Sequence, residues 1–274
     1  GTQELPSFST SPSLADVAQF RYTQCNSGAN QGSIFHWARD HRLHHKFSDT
    51  DFDPHTIKRG FFFAHVGWLL EKKSQKMIDE GRNINMDDLI ADPIVMFQKR
   101  HQYKVSLLMC FVVPTLVYTY VLNVNPVVGY LYAALNYCLL LNATWCVNSI
   151  CHMFGSRPWN KDIEPADNYL VAIATIGEGF HNWHHQYPFD WRASKDEWYM
   201  WNPTARFIEF NRLLGLASTN TDHPCVRICL PEYNLFVSGM FNLNIVLGLL
   251  YVVLVGCELL VVKNLLRTRM RELR

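Results

Sequence analysis

Seven of the 12 histidines lie in three short clusters whose spacing suits metal binding. Two clusters share the pattern H-x-x-H-H, and they are His41, His44 and His45, and His181, His184 and His185. At this histidine content, one such pattern is expected by chance roughly 0.02 times per chain. Positions i, i+3 and i+4 lie on one face of a helix, so each trio can point its imidazoles into one space.

The third cluster contains His152, which follows Asn148 by one turn of a helix. Both side chains therefore share a helix face, and Asn148 is predicted to bind metal through a water molecule. Imidazole binds iron, copper, zinc and nickel. Seven histidines exceed the four ligands of a single zinc site, so the clusters are predicted to hold two metals in a shared cavity.

The remaining histidines and a nearby acidic loop are interpreted separately. The isolated histidines, interpreted as ordinary polar side chains, are His36, His55, His65, His101 and His223. The carboxylates of Asp49, Asp51 and Asp53 suggest a calcium loop, but that loop needs glycine and glutamate where this chain has Pro54 and Gly60. The acidic loop is instead predicted to support the metal-binding histidines on their side away from the metal.

Helices must position these clusters, and the chain is predicted to be all-α. A helix is expected from Ser33 through His45, followed by an acidic loop over 48–54. Two long runs, 105–122 and 127–151, carry almost no charge and are each about long enough to span a bilayer. They predict a membrane-embedded helical hairpin over 105–151, with a helical cap that carries the histidines.

Basic residues flank both outer ends of the predicted hairpin and place those ends in the cytosol. These residues are Lys99, Arg100 and Lys104 before it, and Arg157 and Lys161 after it. The alternative is that the apolar runs are core helices of a soluble protein, which the near-zero mean hydropathy favours slightly. The length of the uncharged runs favours the membrane.

The outer parts of the chain are less informative. Residues 1–28 are polar and predict a disordered leader, and 71–92 predict a solvated connector. Residues 218–274 form a tail with an apolar helix predicted over 235–262, whose topology the pattern leaves open because basic residues follow it. A zinc site at His223, Cys225 and Cys229 is disfavoured because a fourth ligand is missing.

Cysteine use and net charge exclude further classes. Most of the 8 cysteines lie in or beside apolar runs, which suits a reduced, cytosol-facing protein better than a disulfide scaffold. The net charge of +1 does not indicate the excess of basic residues that is typical of nucleic-acid binding proteins.

Four stretches resemble the membrane-bound fatty acyl-CoA desaturases, in particular the stearoyl-CoA delta-9 branch and its insect relatives. They are 37–55, 59–70, 142–152 and 177–185. The resemblance extends over 29–217 and identifies that range as the desaturase domain. It implies a multi-pass endoplasmic reticulum membrane enzyme with its active site facing the cytosol.

The resemblance also implies the chemistry and its residues. A two-iron centre uses oxygen to remove two hydrogens from a saturated acyl-CoA, with electrons supplied by NADH through a reductase and a b-type cytochrome. The implied iron ligands are His41, His44, His45, His152, His181, His184 and His185, with Asn148 through water. The implied substrate contacts are Arg39, Asp40, Lys72 and Lys73 for the CoA moiety, and Trp145 for the acyl tunnel.

Two departures from the family pattern lead to alternative hypotheses. The family has an earlier H-x-x-x-x-H box after two membrane spans, whereas residues 1–35 contain no histidine. The pair His36 and His41 has that spacing, but His41 already belongs to the next box. The family tail is polar, whereas this one is apolar, so the chain is predicted to be a truncated or alternatively spliced desaturase. Alternatives are a non-catalytic relative that regulates a full-length desaturase, and a di-iron lipid hydroxylase.

Overall fold

The computed structural model describes residues 20, 23–24, 26–195, 200–214, 218–219 and 226–227. Most of the predicted leader, the apolar run 235–262, and the trio His223, Cys225 and Cys229 lie outside the described residues. The predictions made for them therefore stay predictions.

The described part of the chain is helical, which confirms the all-α class. Its α-helices are α1 Ile34–Phe47, α2 Phe61–His65, α3 Gln75–Arg82, α4 Asp87–Ile90, α5 Pro93–Val121, α6 Pro126–Met153, α7 Tyr169–Ala174, α8 His181–Gln186 and α9 Pro203–Leu213. Short 3-10 helices occur at Ile57–Arg59 and Gly67–Leu69. A small antiparallel ladder pairs β1 Ser218–Thr219 with β2 Val226–Arg227.

Helices α5 and α6 form the predicted hairpin. Each is long and apolar enough to cross a membrane, and only 17% of the most apolar window of each helix is buried within the protein. Apolar side chains on these helices, such as Leu107, Val121 and Leu131, are exposed. Lipid is the medium in which such a surface is stable, so we describe the hairpin as membrane-embedded.

The first hairpin helix begins earlier than the hydropathy pattern predicts, at Pro93 instead of residue 105. The Asp92 carboxylate accepts hydrogen bonds from the Ile94 and Val95 amides, and Pro93 suits the first helical position. The prediction was based on hydropathy alone. It therefore excluded the charged residues over 93–104 and overlooked the cap at Asp92. Two π-helical segments, Leu108–Val112 and Val117–Val121, flank Pro114, which has no amide to donate.

The two hairpin helices pack closely near their turn. Asn125 caps α6 by accepting from the Val127 amide. A Cβ placed on Gly129 would lie 3.1 Å from the Cβ of Tyr118, so a larger residue would push the helices apart. The Tyr118 hydroxyl accepts a hydrogen bond of 2.7 Å from the Asn136 amide, which ties α5 to α6 inside the hairpin.

The polar segment 71–92 is not the solvated connector that its composition predicts. It forms α3 and α4, and Met86 and Leu89 are buried against Ile34 and Ala38 of α1. The prediction was wrong because a few apolar residues at helical spacing are sufficient to bury one face of a largely charged segment.

The predicted leader extends too far at its C-terminal end. Thr23 and Ser27 are helical and buried, and the Ser27 hydroxyl accepts a hydrogen bond of 3.1 Å from the Gln98 amide. The Gln98 carbonyl oxygen accepts from the Ile34 amide at the start of α1. The polar composition of this segment concealed the packing, because Ser27 and Gln98 are buried through a hydrogen bond.

Candidate metal centre

The seven clustered histidines converge in one region, where α1, the end of α6 and α8 meet. Their ligand atoms form two groups, and within each group these atoms lie within 4.8 Å of one another. We call them the four-histidine group (His44, His152, His181 and His185) and the three-histidine group (His41, His45 and His184). Both repeated motifs contribute to both groups, so neither trio serves a single metal position.

In the four-histidine group the Nε2 atoms face one another. The Nε2 of His185 lies 3.2 Å from that of His44 and 3.1 Å from that of His181. The Nε2 of His152 lies 3.0 Å from that of His181. Metal–imidazole bonds are about 2.0–2.1 Å long, so nitrogens at such separations can all reach one ion between them.

The three-histidine group lies directly beside it. The Nε2 of His184 lies 3.0 Å from that of His45 and 3.4 Å from that of His41. The rings of His45 and His185 stack across the boundary, with centroids 4.2 Å apart. The donor set therefore fits two neighbouring metal ions.

Five of the clustered histidines, His41, His45, His181, His184 and His185, are held in the neutral form that binds metals. Burial lowers the pKa of His41, His45, His181 and His185 well below its usual range, and neighbouring imidazoles lower it further. Burial, with His44 nearby, lowers the pKa of His184 to about 4. At neutral pH these imidazoles can therefore offer lone pairs to a cation.

Two aspartates of the acidic loop orient the four-histidine group. A carboxylate oxygen of Asp53 lies 2.9 Å from Nδ1 of His44, and one of Asp49 lies 2.9 Å from Nδ1 of His152. The Asp49 carboxylate accepts a hydrogen bond from Nδ1 of His152, so Nε2 of His152 keeps the unprotonated lone pair. The Asp53 carboxylate lies at ion-pair distance from Nδ1 of His44. This geometry matches the predicted support of the histidines by the acidic loop.

The sequence reasoning missed His55. The prediction treats it as an isolated polar side chain, but it is buried, and its ring centroid lies 4.3 Å from that of His44. Its Nδ1 lies 3.7 Å from the Asp53 carboxylate, so Asp53 stands between two imidazoles. The one sequence feature that could have predicted this contact is that His55 follows Asp53 by two positions, which keeps the two side chains close together.

The other isolated histidines that the structure describes lie outside both groups. His36 contacts the Ser33 hydroxyl at 2.8 Å, in the first turn of α1, which disfavours it as a substitute ligand. His65 contacts Ser149 and Asn142 on α6. The prediction that these two are ordinary polar side chains agrees with these contacts.

Helix α8, which carries three of the histidines, is held by Asp167. The Asp167 carboxylate accepts from the backbone amides of Asn182 and Trp183 at 2.8 and 3.2 Å. These amides lie in the first turn of α8, where backbone N–H groups have no carbonyl acceptor within the helix. Just before the helix, a Cβ on Gly179 would lie 2.1 Å from the Ala172 amide nitrogen, so only glycine allows this close approach.

A cavity of about 1100 Å³ connects the histidines with the membrane hairpin. Its lining includes His41, His44, His45, His181 and His184 and, along α6, Asn148, Trp145, Leu141 and Tyr137. The predicted water-mediated ligand Asn148 and the predicted tunnel residue Trp145 thus share one cavity with the histidines. Glu178, between two glycines, also lines it, and burial raises the pKa of its carboxyl to about 7.

Charged residues gather at one side of this cavity. Asp40 pairs with both Arg39 and Lys73, and Asp40 and Lys73 line the cavity. Lys72 is exposed and is not part of the lining. The structure thus brings three of the four residues predicted to contact CoA together and leaves Lys72 apart.

Comparison with known proteins places this geometry in context. The family model described as "Fatty acid desaturase" matches residues 26–204. The chain is 51% identical over 195 residues to "Stearoyl-CoA desaturase 5" of Bos taurus, covering 70% of this chain and 58% of the relative. It is 50% identical over 190 residues to "Acyl-CoA Delta12-desaturase" of Acheta domesticus, covering 69% and 53%. The chain therefore spans a little over half the length of the curated relatives it matches.

Proposed function

Because the chain belongs to the fatty acid desaturase family, we propose that it introduces a double bond into a saturated fatty acyl-CoA at a two-iron centre. The observation that carries this proposal is the convergence of seven histidines, five of which line a cavity that continues along a membrane hairpin. Iron bound there would supply the oxygen-dependent oxidation, which removes hydrogen from carbons that no acid–base group can activate.

The proposed iron ligands are the two histidine groups, with Asn148 acting through water. The residues of this chain fix the imidazoles and bury His44, His152 and His181. Asp49 holds the proton of His152 on Nδ1, so that its Nε2 faces the iron position, and the Asp53 carboxylate lies 2.9 Å from Nδ1 of His44. Imidazole ligation is common for iron but shared by other metals, so the metal itself is part of the proposal.

The substrate is proposed to lie along the cavity, with its acyl chain against Trp145 and its CoA moiety near Arg39, Asp40 and Lys73. Apolar and aromatic walls suit an alkyl chain, and basic side chains suit CoA phosphates. Electrons are proposed to come from a b-type cytochrome and its NADH-dependent reductase. The proposed location is the endoplasmic reticulum membrane, with the site facing the cytosol.

Expression of the chain in a yeast strain that lacks its own desaturase tests the function. We expect growth without added unsaturated fatty acids, and new monounsaturated acids in gas chromatography of the methyl esters. Mass spectrometry of disulfide adducts locates the bond, which we propose at the delta-9 position. The His184→Ala variant, which removes one ligand of the three-histidine group, should give no product.

Three outcomes would contradict the proposal in different ways. Hydroxylated lipids would indicate a hydroxylase. Membrane-inserted protein with two irons and no lipid product would indicate a non-catalytic relative. A double bond at delta-12, as in the name of the Acheta domesticus relative, would contradict the proposed position alone.

Lys73→Ala is expected to weaken acyl-CoA binding about 3- to 10-fold, which corresponds to the loss of one ordinary hydrogen bond to phosphate at a partly exposed side chain. Equilibrium binding of radiolabelled stearoyl-CoA to the purified protein measures this change. Lys72→Ala is the matched control, since Lys72 is the adjacent lysine and does not line the cavity. Equal losses in the two variants would contradict a specific role for Lys73.

A further inference from the structure

The two histidine groups differ in their number of donors and in their burial. The four-histidine group offers four imidazoles, of which His44, His152 and His181 are buried. The three-histidine group offers three imidazoles, and all three side chains are only partly buried. Among the described residues, an ion in the three-histidine group would therefore have one histidine ligand fewer than its neighbour and a less enclosed position.

The cavity also reaches the two groups unequally. Its lining contains every member of the three-histidine group, but only His44 and His181 of the four-histidine group. Trp37 stacks on the His41 ring, with centroids 4.6 Å apart, and also lines the cavity. A small molecule that enters the cavity can therefore approach all three side chains of the three-histidine group, whereas half of the four-histidine group lies outside the cavity wall.

Two carboxylates of the acidic loop contact members of the four-histidine group. The Asp49 carboxylate accepts a hydrogen bond of 2.9 Å from Nδ1 of His152. The Asp53 carboxylate lies 2.9 Å from Nδ1 of His44. A partner of this kind behind a metal-bound imidazole usually raises metal affinity about 10- to 100-fold. The greater number of donors and these carboxylates both favour tighter binding by the four-histidine group.

From these differences we propose that the two metal positions are not equivalent: the four-histidine group is a closed position that fills first, and the three-histidine group is an open position that fills second and takes a small ligand from the cavity. Metal sites with three protein ligands commonly keep a position for water or substrate, whereas sites with four are usually closed. The expected ligands are small molecules of the class of dioxygen and azide. This inference rests on the two-metal centre of the proposed function.

Titration of the purified, metal-stripped protein with Co²⁺ under nitrogen tests the order of filling. Imidazole sites bind Co²⁺, and the visible absorption of the ion reports its ligands. We expect two Co²⁺ per chain, with dissociation constants at least about 10-fold apart. Azide added at each step should change the Co²⁺ spectrum only after the second ion has bound, because only the open position accepts it.

Two variants separate the positions. His152 lies on α6, so His152→Ala leaves the sequences of α1 and α8, which carry the three-histidine group, unchanged. This variant should bind one Co²⁺ with the weaker constant and keep the azide response. His184→Ala should bind one Co²⁺ with the tighter constant and show no azide response. His101→Ala is the matched control, since His101 belongs to neither group, and it should behave as the unmodified protein does.

The outcomes separate this inference from the proposed function. Two equal constants, or an azide response that follows the first ion, overturn the inference and leave a two-metal centre standing. An azide response that His184→Ala keeps and His152→Ala loses also overturns it, because the open position would then be the four-histidine group. Absence of Co²⁺ binding by the unmodified protein contradicts the metal centre itself, and the inference is overturned with it. If His152→Ala fails to fold, the unmodified protein and His184→Ala decide between these results.

Discussion

Replacing His152 with alanine is expected to abolish desaturation and to lower bound iron from two ions per chain to one. His152 is buried, and its Nε2 faces that of His181 at 3.0 Å within the four-histidine group. Alanine removes this ligand and leaves the Asp49 carboxylate without its 2.9 Å imidazole partner. Elemental analysis of the purified protein measures the iron, and lipid analysis of the expressing yeast measures the product.

His101→Ala is the control for this variant. His101 lies on α5, where its ring packs against Phe97 at 4.6 Å, and it belongs to neither histidine group. This control should keep two irons and full activity. Two irons in the His152→Ala protein would contradict the assignment of His152 as a ligand of the four-histidine group.

Asp53→Asn is expected to lower iron affinity about 10- to 100-fold, the range that loss of a partner behind a metal-bound histidine usually produces. Burial by itself would raise the pKa of Asp53, but His44 and His55 outweigh it and hold the pKa well below its usual range. The carboxylate is therefore ionised throughout neutral pH, and it lies 2.9 Å behind Nδ1 of His44. Competition with an iron chelator measures the affinity.

The pH dependence of the Asp53 effect follows from the sign of this shift. A depressed pKa means that the carboxylate loses its charge only in strong acid, so its contribution is complete at neutral pH. The affinity ratio between parent and variant should therefore stay constant from pH 6 to pH 8. Asp51→Asn is the matched control, because Asp51 belongs to the same loop but is exposed. A ratio that changes strongly over this range would argue against an ionised Asp53.

The features that the sequence predicts correctly depend on local patterns. The H-x-x-H-H spacing places His41, His44 and His45 on one turn of α1, and two uncharged runs become α5 and α6. Helix caps and hydropathy act over a few residues, so they can be read from the chain directly. Where charge interrupts the pattern, as over 93–104 and 71–92, the same reasoning missed a helix start and two short helices.

By itself, the sequence determined which seven histidines share a repeated spacing and that a membrane hairpin accompanies them. Only the tertiary structure decided how the imidazoles are divided. It places His44 with His152 and the pair His181 and His185, and it places His184 with His41 and His45. It also decided that Asp53 and His55 lie behind His44, and that Asn30 meets Tyr137 across 107 positions of sequence. The physical reason is that helical periodicity fixes the face on which a side chain lies, whereas its partner is fixed by the docking of distant helices.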